Sequence, residues 1–291
     1  MLSFSIIGLF LWFGLCAAFT VPGKVAVFGA TGKTGSRIVK QLLDSEERVR
    51  VLAFVRDRER AREIFGDADL NAMELAYCDV TSDNTATIGA ALRGCDAAIC
   101  ATGYSRGFPP DPLGSVKVDF AGTCKIIDAC TDAKVPRFVL ITSLLTNGLA
   151  AGQLANPQFL LLNALGGILA SKLGAEKYLQ GNAFLDYTII RPGGLRGDGD
   201  SSAEEPIAYG GADSFFRGSI TRDQVAQVAA GAVLTPASSN KVGEPVMLIH
   251  PFILSVSVAI TPALCLVLPC RWWSWSRQRM LHILNLISPA S

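Results

Sequence analysis

The residues best suited to chemistry in this sequence are seven near its start, Gly-Ala-Thr-Gly-Lys-Thr-Gly at positions 29–35. They combine two phosphate-binding patterns. Gly32, Lys33 and Thr34 match the end of the loop with which many NTPases wrap a triphosphate. That loop requires a glycine five residues before Gly32, where this sequence has Val27 within an apolar run. The loop would be too short, and the NTPase interpretation is therefore disfavoured.

The same stretch contains a three-glycine turn, formed by Gly29, Gly32 and Gly35. It follows an apolar, β-rich run and precedes a segment with helical spacing, which is the context that a dinucleotide-binding turn requires. Glycines allow the backbone to approach a pyrophosphate, whose charge is held by N–H groups at the start of the helix. Lys33 and Thr34 would then lie beside the phosphates. The alternative is a glycine-rich turn that binds no ligand.

A cationic side chain at the end of the second predicted strand indicates which dinucleotide binds. Proteins that bind NAD usually carry an acidic residue about 20 residues after the turn, where it holds the ribose 2′-hydroxyl. This sequence has Arg56 there, and a guanidinium suits a 2′-phosphate by its charge and its forked donors. We therefore expect NADP(H) rather than NAD(H). Arg58, Arg60 and Arg62 follow on a charged helix and are interpreted as its solvated face.

Strand and helix patterns alternate along most of the chain. Strands are predicted at 25–28, 49–55, 72–77, 96–101, 138–142, 187–190 and 246–249, and helices at 36–43, 57–65, 84–92, 120–133, 171–180 and 225–234. Thr221 and Gln224 form a capping-box pattern before the last helix. Such alternation is typical of an α/β fold with a doubly wound parallel sheet. The prediction is a single NAD(P)-binding domain at 24–249 with apolar extensions at both ends.

The two extensions are unusually apolar. Residues 1–19 contain an apolar run that ends in small residues, as secretory signals do, although no basic residue precedes it. We expect a targeting segment, with a membrane anchor or a helix packed on the domain as alternatives. In the tail at 250–291, residues 251–270 carry no charge and are long enough to cross a bilayer. This tail is interpreted as a membrane anchor, a packed or disordered segment, or an unreliable end of the gene model.

Composition bears on partners and compartment. The formal net charge is +1, and no basic run is interleaved with aromatic residues, so no nucleic-acid partner is expected. The predicted domain contains Cys78, Cys95, Cys100, Cys124 and Cys130, an odd number without metal-ligand spacing. Free cysteines in apolar segments behave as small core residues, which indicates a reducing compartment. His250 is interpreted as structural, and no metal site is predicted.

Six motifs that follow one another along 24–249 resemble those of the atypical short-chain dehydrogenases/reductases. They are the three-glycine turn, Cys78-Asp79-Val80, Ala101-Thr102-Gly103, Thr142-Ser143, Lys172-x-x-x-Glu176 and Arg191-Pro192-Gly193. The set most resembles the NmrA-like, NAD(P)-binding plastid proteins of plants and algae. Relatives of that family include the redox-sensing subunit of the plastid inner-envelope translocon and the NADPH-dependent flavin and biliverdin reductases. The resemblance implies a Rossmann fold, NADP(H) and a plastid location, with the secretory route or attachment to a membrane as alternatives.

The resemblance also implies a role for each matching residue. The pyrophosphate would be lined by Gly29, Thr31, Gly32, Lys33, Thr34 and Gly35, and the 2′-phosphate held by Arg56. The adenine would be bordered by Asp79 and Val80, and the ribose would pass Ala101, Thr102 and Gly103. The nicotinamide would be approached by Ser143, Lys172, Pro192 and Gly193. Ser143 and Lys172 are the candidate catalytic residues.

One position departs from the family pattern. Active members of the larger family carry a proton-donating tyrosine four residues before the lysine, and this chain has Ile168 there. Lys172 would still hold the ribose hydroxyls; the alternative is an ordinary helix lysine paired with Glu176 one turn on. Tyr104 is a candidate substitute near the cofactor, whereas Tyr178 lies on another face of the Lys172 helix.

Residues 144–171 contain no charged side chain, and interruptions such as Pro157 argue against a membrane span. They are expected to form either a lid over a small, flat apolar substrate or a core or docking surface for a protein partner. The predicted function is the reduction of a flavin, quinone or tetrapyrrole type of acceptor by hydride from NADPH, with solvent as the proton source. The alternatives are a non-catalytic NADP(H)-binding sensor or scaffold, and a membrane-associated assembly factor.

Overall fold

The computed structural model describes residues 21–105, 111–164, 166–196 and 206–247. The predicted targeting segment at 1–19 and the apolar tail at 250–291 lie outside the described residues. Within the described ranges, no single helix combines the length and hydropathy of a membrane span. The helices Pro157–Ala164 and Ile168–Gln180 meet that criterion only when taken together, across a bend of 88°.

Eight strands form the main sheet, and two short ones pair beside it. The strands are β1 Lys24–Phe28, β2 Arg50–Val55, β3 Glu74–Tyr77, β4 Ala97–Cys100, β5 Arg137–Ile141, β6 Asp186–Ile190, β7 Gly194–Leu195, β8 Ile207–Gly210, β9 Ser219–Ile220 and β10 Lys241–Met247. The order in the main sheet is β3-β2-β1-β4-β5-β6-β10-β8, and β7 pairs with β9. Neighbours in the main sheet are parallel except β10 and β8. The predicted doubly wound fold is confirmed.

Helices cover both faces of this sheet. They are α1 Gly35–Leu43, α2 Arg58–Asn71, α3 Thr85–Leu92, α4 Thr123–Asp132, α5 Pro157–Ala164, α6 Ile168–Gln180 and α7 Arg222–Leu234, and a π-helical turn, Val116–Gly122, leads into α4. Side-chain caps fix several of the helix starts. Asp57 accepts from the backbone N–H groups of Glu59 and Arg60, and Asn84 accepts from Thr87. The predicted capping box of Thr221 and Gln224 is confirmed at the start of α7.

Alternate residues of the central strands enter two separate cores. Val25 and Val27 of β1 pack in the core that includes residues of α1 and α7, whereas Phe28 packs in the core that includes residues of α3 and α4. The Phe28 ring stacks on Phe54 with centroids 4.1 Å apart. Because both faces are covered, these strands are nearly continuous apolar runs in the sequence. The cysteines predicted to be free core residues lie in this second core or beside it, four of them buried and Cys124 partly exposed.

The sequence prediction missed strands β7, β8 and β9, and it gave one helix at 120–133 where the structure has a π-helical turn followed by α4. Three further differences concern β10, α2 and the segment 144–171. Strand β10 begins at Lys241, whereas the prediction began at 246. The prediction missed the first part of the strand because it contains the charged Glu244, which is buried and accepts hydrogen bonds from a neighbouring loop. Helix α2 continues to Asn71 across a kink at Gly66, where φ is +67°. The uncharged segment 144–171 contains a short helix of its own, α5, which buries none of its described side chains.

Candidate functional site

The sheet brings the predicted site residues to one edge, at the carboxyl ends of its parallel strands. Open α/β sheets bind ligands outside that edge, where the strand order reverses, and here the reversal lies between β1 and β4. The turn at 29–35 follows β1, Arg56 follows β2, 101–103 follow β4, Ser143 follows β5 and 192–193 follow β6. The topology therefore assembles residues from five segments that are distant in sequence.

Backbone contacts explain why the turn after β1 is built from glycine. Gly29 has φ +73°, and a Cβ added there would lie 2.8 Å from the Ala101 carbonyl oxygen. A Cβ added at Gly35 would lie 2.1 Å from the Gly29 carbonyl oxygen, which belongs to backbone and has little room to move. Gly32 N donates to Gly29 O at 2.9 Å and closes the turn. The turn is therefore a tight cradle of the kind that admits a pyrophosphate.

The start of α1 is open to an anion. Its N-cap residue, Thr34, makes no side-chain capping bond, and the first turn contains no acidic residue. The N–H groups of Ser36 and Arg37 donate to the carbonyl oxygens of Gly32 and Thr34, so the helix dipole is the main feature that favours a phosphate at this position. The exposed Lys33 and the partly exposed Thr31 lie on the same loop. These residues fit a dinucleotide pyrophosphate, as the sequence predicts.

Arg56 and Asp79 lie close together at the ends of the outer strands. Arg56 is exposed and, within the described ranges, makes no hydrogen bond or salt bridge, so its guanidinium is available to a ligand. The pKa of Asp79 is lowered, mainly because the Thr81 hydroxyl and backbone N–H donate to it, and also by the charge of Arg56. Val80 is buried, and its side chain packs on the π-helical turn so closely that a Cβ added at Gly122 would lie 2.8 Å from Val80 Cγ2.

The strip 101–103 continues β4 along the predicted ribose path. Ala101 N donates to Phe28 O, so the strip stays in register with the end of β1. The Thr102 hydroxyl lies 3.2 Å from the Cys100 thiol, and Gly103 is exposed. Burial raises the pKa of Cys100, and the positive charge of Lys172 opposes that shift. The charge of Lys172, on α6, is thus close enough to the end of β4 to influence this thiol.

The alternative pairing of Lys172 with Glu176 is wrong. Lys172 Nζ instead lies 2.9 Å from Asp119 Oδ1 on the π-helical turn. Glu176, one turn further along α6, pairs instead with Arg191, which follows β6: Arg191 Nη2 lies 2.6 Å from Glu176 Oε2. Glu176 also accepts from the Thr142 hydroxyl at 2.6 Å.

The hydroxyl groups of Tyr104 and Tyr178 each have a hydrogen-bond partner in the fold. The Tyr104 hydroxyl accepts from Asp111 N at 2.9 Å, and its ring fills the space that a side chain at Gly114 would need. The Tyr178 hydroxyl donates to Asp128 Oδ1 at 2.7 Å, which raises the pKa of Tyr178 to about 12. Ile168 is the first residue of α6, one turn before Lys172. The position four residues before Lys172 is thus aliphatic. The Tyr178 proton is used in the bond to Asp128, whereas the Tyr104 hydroxyl only accepts in its bond and keeps its own proton.

A cavity of about 360 Å³ opens beside the predicted nicotinamide position. Its lining is shared between the strand ends and α5, and comprises Thr142, Ser143, Gln158, Leu161, Leu162, Pro192, Gly193, Gly194 and Leu195. Leu161 and Leu195 are also among the large apolar side chains exposed at the surface. The cavity therefore combines an apolar wall with a hydroxyl and an amide, the mixture typical of small-molecule sites.

Several residues of this site escaped the sequence prediction. Asp119 lies 53 positions before Lys172, and no spacing rule links the two. Gln158 and Leu161 were not assigned individually, because only the lack of charge marked their segment, and Leu195 lies just beyond the Arg191-Pro192-Gly193 motif. Arg191 belongs to a predicted motif, yet its three carboxylate partners, Glu176, Asp213 and Glu244, come together only in the folded chain.

Comparison with known proteins decides the family. The family model described as NAD(P)H-binding matches residues 29–236, a range that begins at the first glycine of the turn. The chain belongs to the NAD(P)H-binding family. The match includes the six motifs, so the predicted membership of the atypical short-chain dehydrogenase/reductase group is confirmed, and with it a nicotinamide cofactor.

Individual relatives of this NAD(P)H-binding protein agree with that placement. An uncharacterised chloroplastic protein of Arabidopsis thaliana is 43% identical over 221 residues, which cover 76% of this chain and 75% of the relative. The chloroplastic protein TIC 62 of Pisum sativum is 34% identical over 222 residues, or 71% of this chain, but the match spans only 39% of TIC 62. These chloroplastic relatives confirm the predicted plastid location.

A solved structure supports the fold independently. The oxidoreductase ylbE of Lactococcus lactis superimposes with a TM-score of 0.63 at 25% identity, over 77% of this chain and 91% of that one. The shared part corresponds to the doubly wound domain. An oxidoreductase-like, NAD(P)H-binding fold is thus established for this chain.

Proposed function

We propose that this protein is an NADPH-dependent reductase of a flat, apolar acceptor, and that it works without the usual tyrosine. The observation that carries the proposal is the 360 Å³ cavity, which joins Ser143, Pro192 and Gly193 to the leucines of α5. The same cavity thus contains residues predicted to face the nicotinamide and an apolar wall for a second molecule. A protein that only stored a cofactor would not need this second space.

The choice of NADPH over NADH rests on Arg56. The residue is exposed at the end of β2, at the place where an acidic residue would select NAD. Its guanidinium has the charge and the paired donors that a 2′-phosphate requires. Asp79 beside it carries a lowered pKa, and we assign it to the adenine edge together with Val80.

The chain's own residues would act chiefly by orientation. When bound, NADPH supplies a hydride. The glycine turn would hold its pyrophosphate, Lys172 the ribose on the nicotinamide side, and Pro192 and Gly193 the face of the ring. Ser143 and Gln158 are the polar side chains in the cavity besides Thr142, and they would fix one edge of the acceptor. Because Ile168 cannot donate a proton, the proton would come from water at the open side of the cavity.

The cavity restricts the class of acceptor. Small-molecule sites are typically about 300–1,000 Å³, so 360 Å³ admits one planar ring system and excludes a bulky polymer. Among the residues that the structure describes, none that lines the cavity is charged, which disfavours highly charged substrates inside it. The ring systems of flavins and quinones meet these conditions, since each offers a flat apolar face and a polar edge. A linear tetrapyrrole would place only part of its four rings in the cavity and keep its carboxylates outside.

The proposal is tested by following NADPH oxidation with these three acceptor classes. We expect turnover with at least one, and Leu161→Gln should raise its KM while leaving NADPH affinity unchanged. Leu160→Gln is the matched control, because Leu160 is an exposed neighbour on α5 that does not line the cavity. Absence of turnover with every acceptor, in protein that binds NADPH, would refute the reductase.

A second candidate function is a cofactor-binding sensor or scaffold in the plastid. It is favoured by α5, which exposes Leu160 and Leu161 by 53% and 58%, and by the relatedness to TIC 62 over part of that protein's length. A plastid extract passed over the immobilised protein, with and without NADPH, tests it. Partners that depend on the cofactor and are lost in Leu160→Gln support sensing, and cofactor-independent partners contradict it. Attachment to a membrane through 250–291 is a further proposal, contradicted if the full chain is recovered free of membranes.

A further inference from the structure

An apolar surface continues outward from the cavity. It carries five leucines that are between 44% and 63% exposed, and we call it the leucine surface: Leu149, Leu154, Leu160, Leu161 and Leu195. Leu161 and Leu195 also line the cavity. The segment 144–171 supplies all of these leucines except Leu195 and contains no charged residue. Exposed apolar surface of this kind marks the places where proteins contact a partner or a membrane.

Backbone and side-chain contacts hold the parts of the leucine surface together. A Cβ added at Gly148 would lie 2.6 Å from the ring of Phe159, so the loop before α5 packs against that helix. On the other side of α5, the side-chain nitrogen of Gln158 lies 3.9 Å from the place of a Cβ at Gly194, in β7. The loop, α5 and β7 therefore present their leucines side by side around the cavity.

The chain passes this surface at the end of β10. Val246 belongs to the buried apolar cluster against which Phe159 and Leu162 of α5 pack. Strand β10 ends at Met247, and residues 251–270, which carry no charge, begin four positions later. Four residues of chain span at most about 14 Å. A segment that is long and apolar enough to enter a bilayer thus starts within reach of the leucine surface.

We propose that the leucine surface rests on a lipid bilayer, and that the acceptor is a quinone with a long apolar chain, which reaches the cavity from the lipid. The inference rests on the proposed function, because that function makes the cavity the acceptor site. Leucines gain free energy when they leave water, and an apolar protein face binds at a bilayer interface for this reason. The cavity of about 360 Å³ holds the ring, whereas the chain lies along the leucines and in the lipid. A flavin has a polar side chain, which gains nothing on such a surface.

The reaction needs no group beyond those of the proposed function. The quinone gains one hydride from NADPH and one proton from water, its two carbonyl oxygens become hydroxyls, and NADP⁺ is released. The polar headgroup layer of the bilayer supplies the water. Ser143 and Gln158, in the cavity lining, are the donors suited to the quinone carbonyls.

The experiment follows NADPH oxidation by the full chain with two matched probes. One is a benzoquinone with a long isoprenoid chain, supplied in vesicles of phosphatidylcholine and phosphatidylglycerol, and the other is the same benzoquinone without the chain, supplied in water. We expect the double variant Leu149→Gln/Leu154→Gln to raise the KM of the long-chain quinone about 10-fold. The KM of the short quinone should not change, because neither leucine lines the cavity. Phe184→Gln is the control and should change neither KM, because Phe184 is 48% exposed but precedes β6, at the opposite edge of the sheet.

Dilution of the long-chain quinone with further lipid gives a second readout. At constant total quinone the rate should fall as the quinone fraction in the bilayer falls, and the rate with the short quinone should not respond to lipid. Turnover of the short quinone or a flavin without turnover of the long-chain quinone, or an equal KM of the long-chain quinone in wild type and the double variant, overturns the inference and leaves the reductase standing. A leucine surface that serves a protein partner gives that second result. Absence of turnover with every acceptor refutes the proposed function, and the inference with it.

Discussion

Arg191 and Glu176 form a buried ion pair that joins the end of β6 to α6. Arg191 Nη2 lies 2.6 Å from Glu176 Oε2, and the two side chains are 5% and 1% exposed. Asp213 and Glu244 also contact Arg191 Nη1. Burial opposes the charge of Arg191, yet hydrogen bonds to Glu176 and the three carboxylates raise its pKa above the usual value. The pair therefore connects the cavity wall at Pro192 to the helix that carries Lys172.

Removing one partner of this pair is expected to destabilise the fold strongly. Glu176→Gln removes one of the negative charges that balance the buried Arg191 guanidinium. Breaking buried ion pairs of this kind costs about 3–5 kcal/mol. Urea unfolding of Glu176→Gln is the measurement. Glu63→Gln is the control, because the Arg60–Glu63 pair at 2.9 Å is exposed and such pairs contribute about 0–1 kcal/mol. Equal losses in the two variants would contradict the role assigned to the buried pair.

Replacing glycine by alanine should have opposite effects on stability at Gly35, in the phosphate turn, and at Gly231, in α7. Gly35→Ala should abolish binding of both NADPH and NADH and lower the unfolding midpoint, because the new Cβ would lie 2.1 Å from the Gly29 carbonyl oxygen. Gly231→Ala in α7 meets nothing within 4 Å and should stabilise the helix by roughly 0.5–1 kcal/mol. Calorimetric titration and thermal unfolding measure the two. Retained cofactor affinity in Gly35→Ala would show that the turn is not the phosphate site.

Stability should fall at alkaline pH because buried thiols resist ionisation in the folded chain. Burial, with a contribution from nearby Asp83 and Asp79, raises the pKa of Cys78 to about 12, and burial raises that of Cys95 to about 11. In the unfolded chain thiols ionise near about 8.5. Above that pH the folded chain therefore binds more protons than the unfolded chain. The free energy of unfolding then decreases as pH rises from about 9 to 11. The decrease is roughly 1.4 kcal/mol per pH unit for each thiol that is ionised in the unfolded chain and protonated in the folded one.

The Cys78 contribution can be isolated by substitution. In Cys78→Ala the free energy of unfolding should fall less steeply with pH, because the contribution of one thiol is removed. Urea unfolding at pH 8, 9 and 10 under reducing conditions measures the slope. Other titrating groups are common to both proteins and cancel in the comparison. Identical slopes for wild type and Cys78→Ala would show that the thiol ionises equally in both states.

The sequence was sufficient to predict the six strands β1 to β6 and most of the helices between them, but not α5, β7, β8 or β9. Buried parallel strands are apolar on both faces, so β1, β4 and β5 are recognisable as short continuous runs. The turn at 29–35 was identifiable because steric demands restrict its residue types. Strand β10 was recognised only in part, because Glu244 and Pro245 interrupt its apolar pattern, and Glu244 bonds the N–H groups of Asp213, Ser214 and Phe215.

Side-chain partners could not be predicted in the same way. A lysine and a glutamate one helical turn apart are expected to pair, but Lys172 and Glu176 each have a stronger partner from another element. Asp119 comes from the turn before α4 and Arg191 from the end of β6. Such contacts depend on how helices pack across the sheet, and local spacing carries no record of them. The cavity likewise forms only when α5 lies beside the 192–195 segment.

The central claim, that the site binds NADPH through Arg56, is tested most directly by titrating wild type and Arg56→Ala with NADPH and NADH. We predict that wild type binds NADPH more tightly than NADH. Arg56→Ala should weaken NADPH about 10- to 100-fold and leave NADH nearly unchanged, since a charged hydrogen-bonded contact contributes about 1.5–3 kcal/mol. Arg60→Ala, on the exposed face of α2, should change neither affinity. Equal affinity of wild type for the two cofactors, or an equal loss of both in Arg56→Ala, would contradict the account.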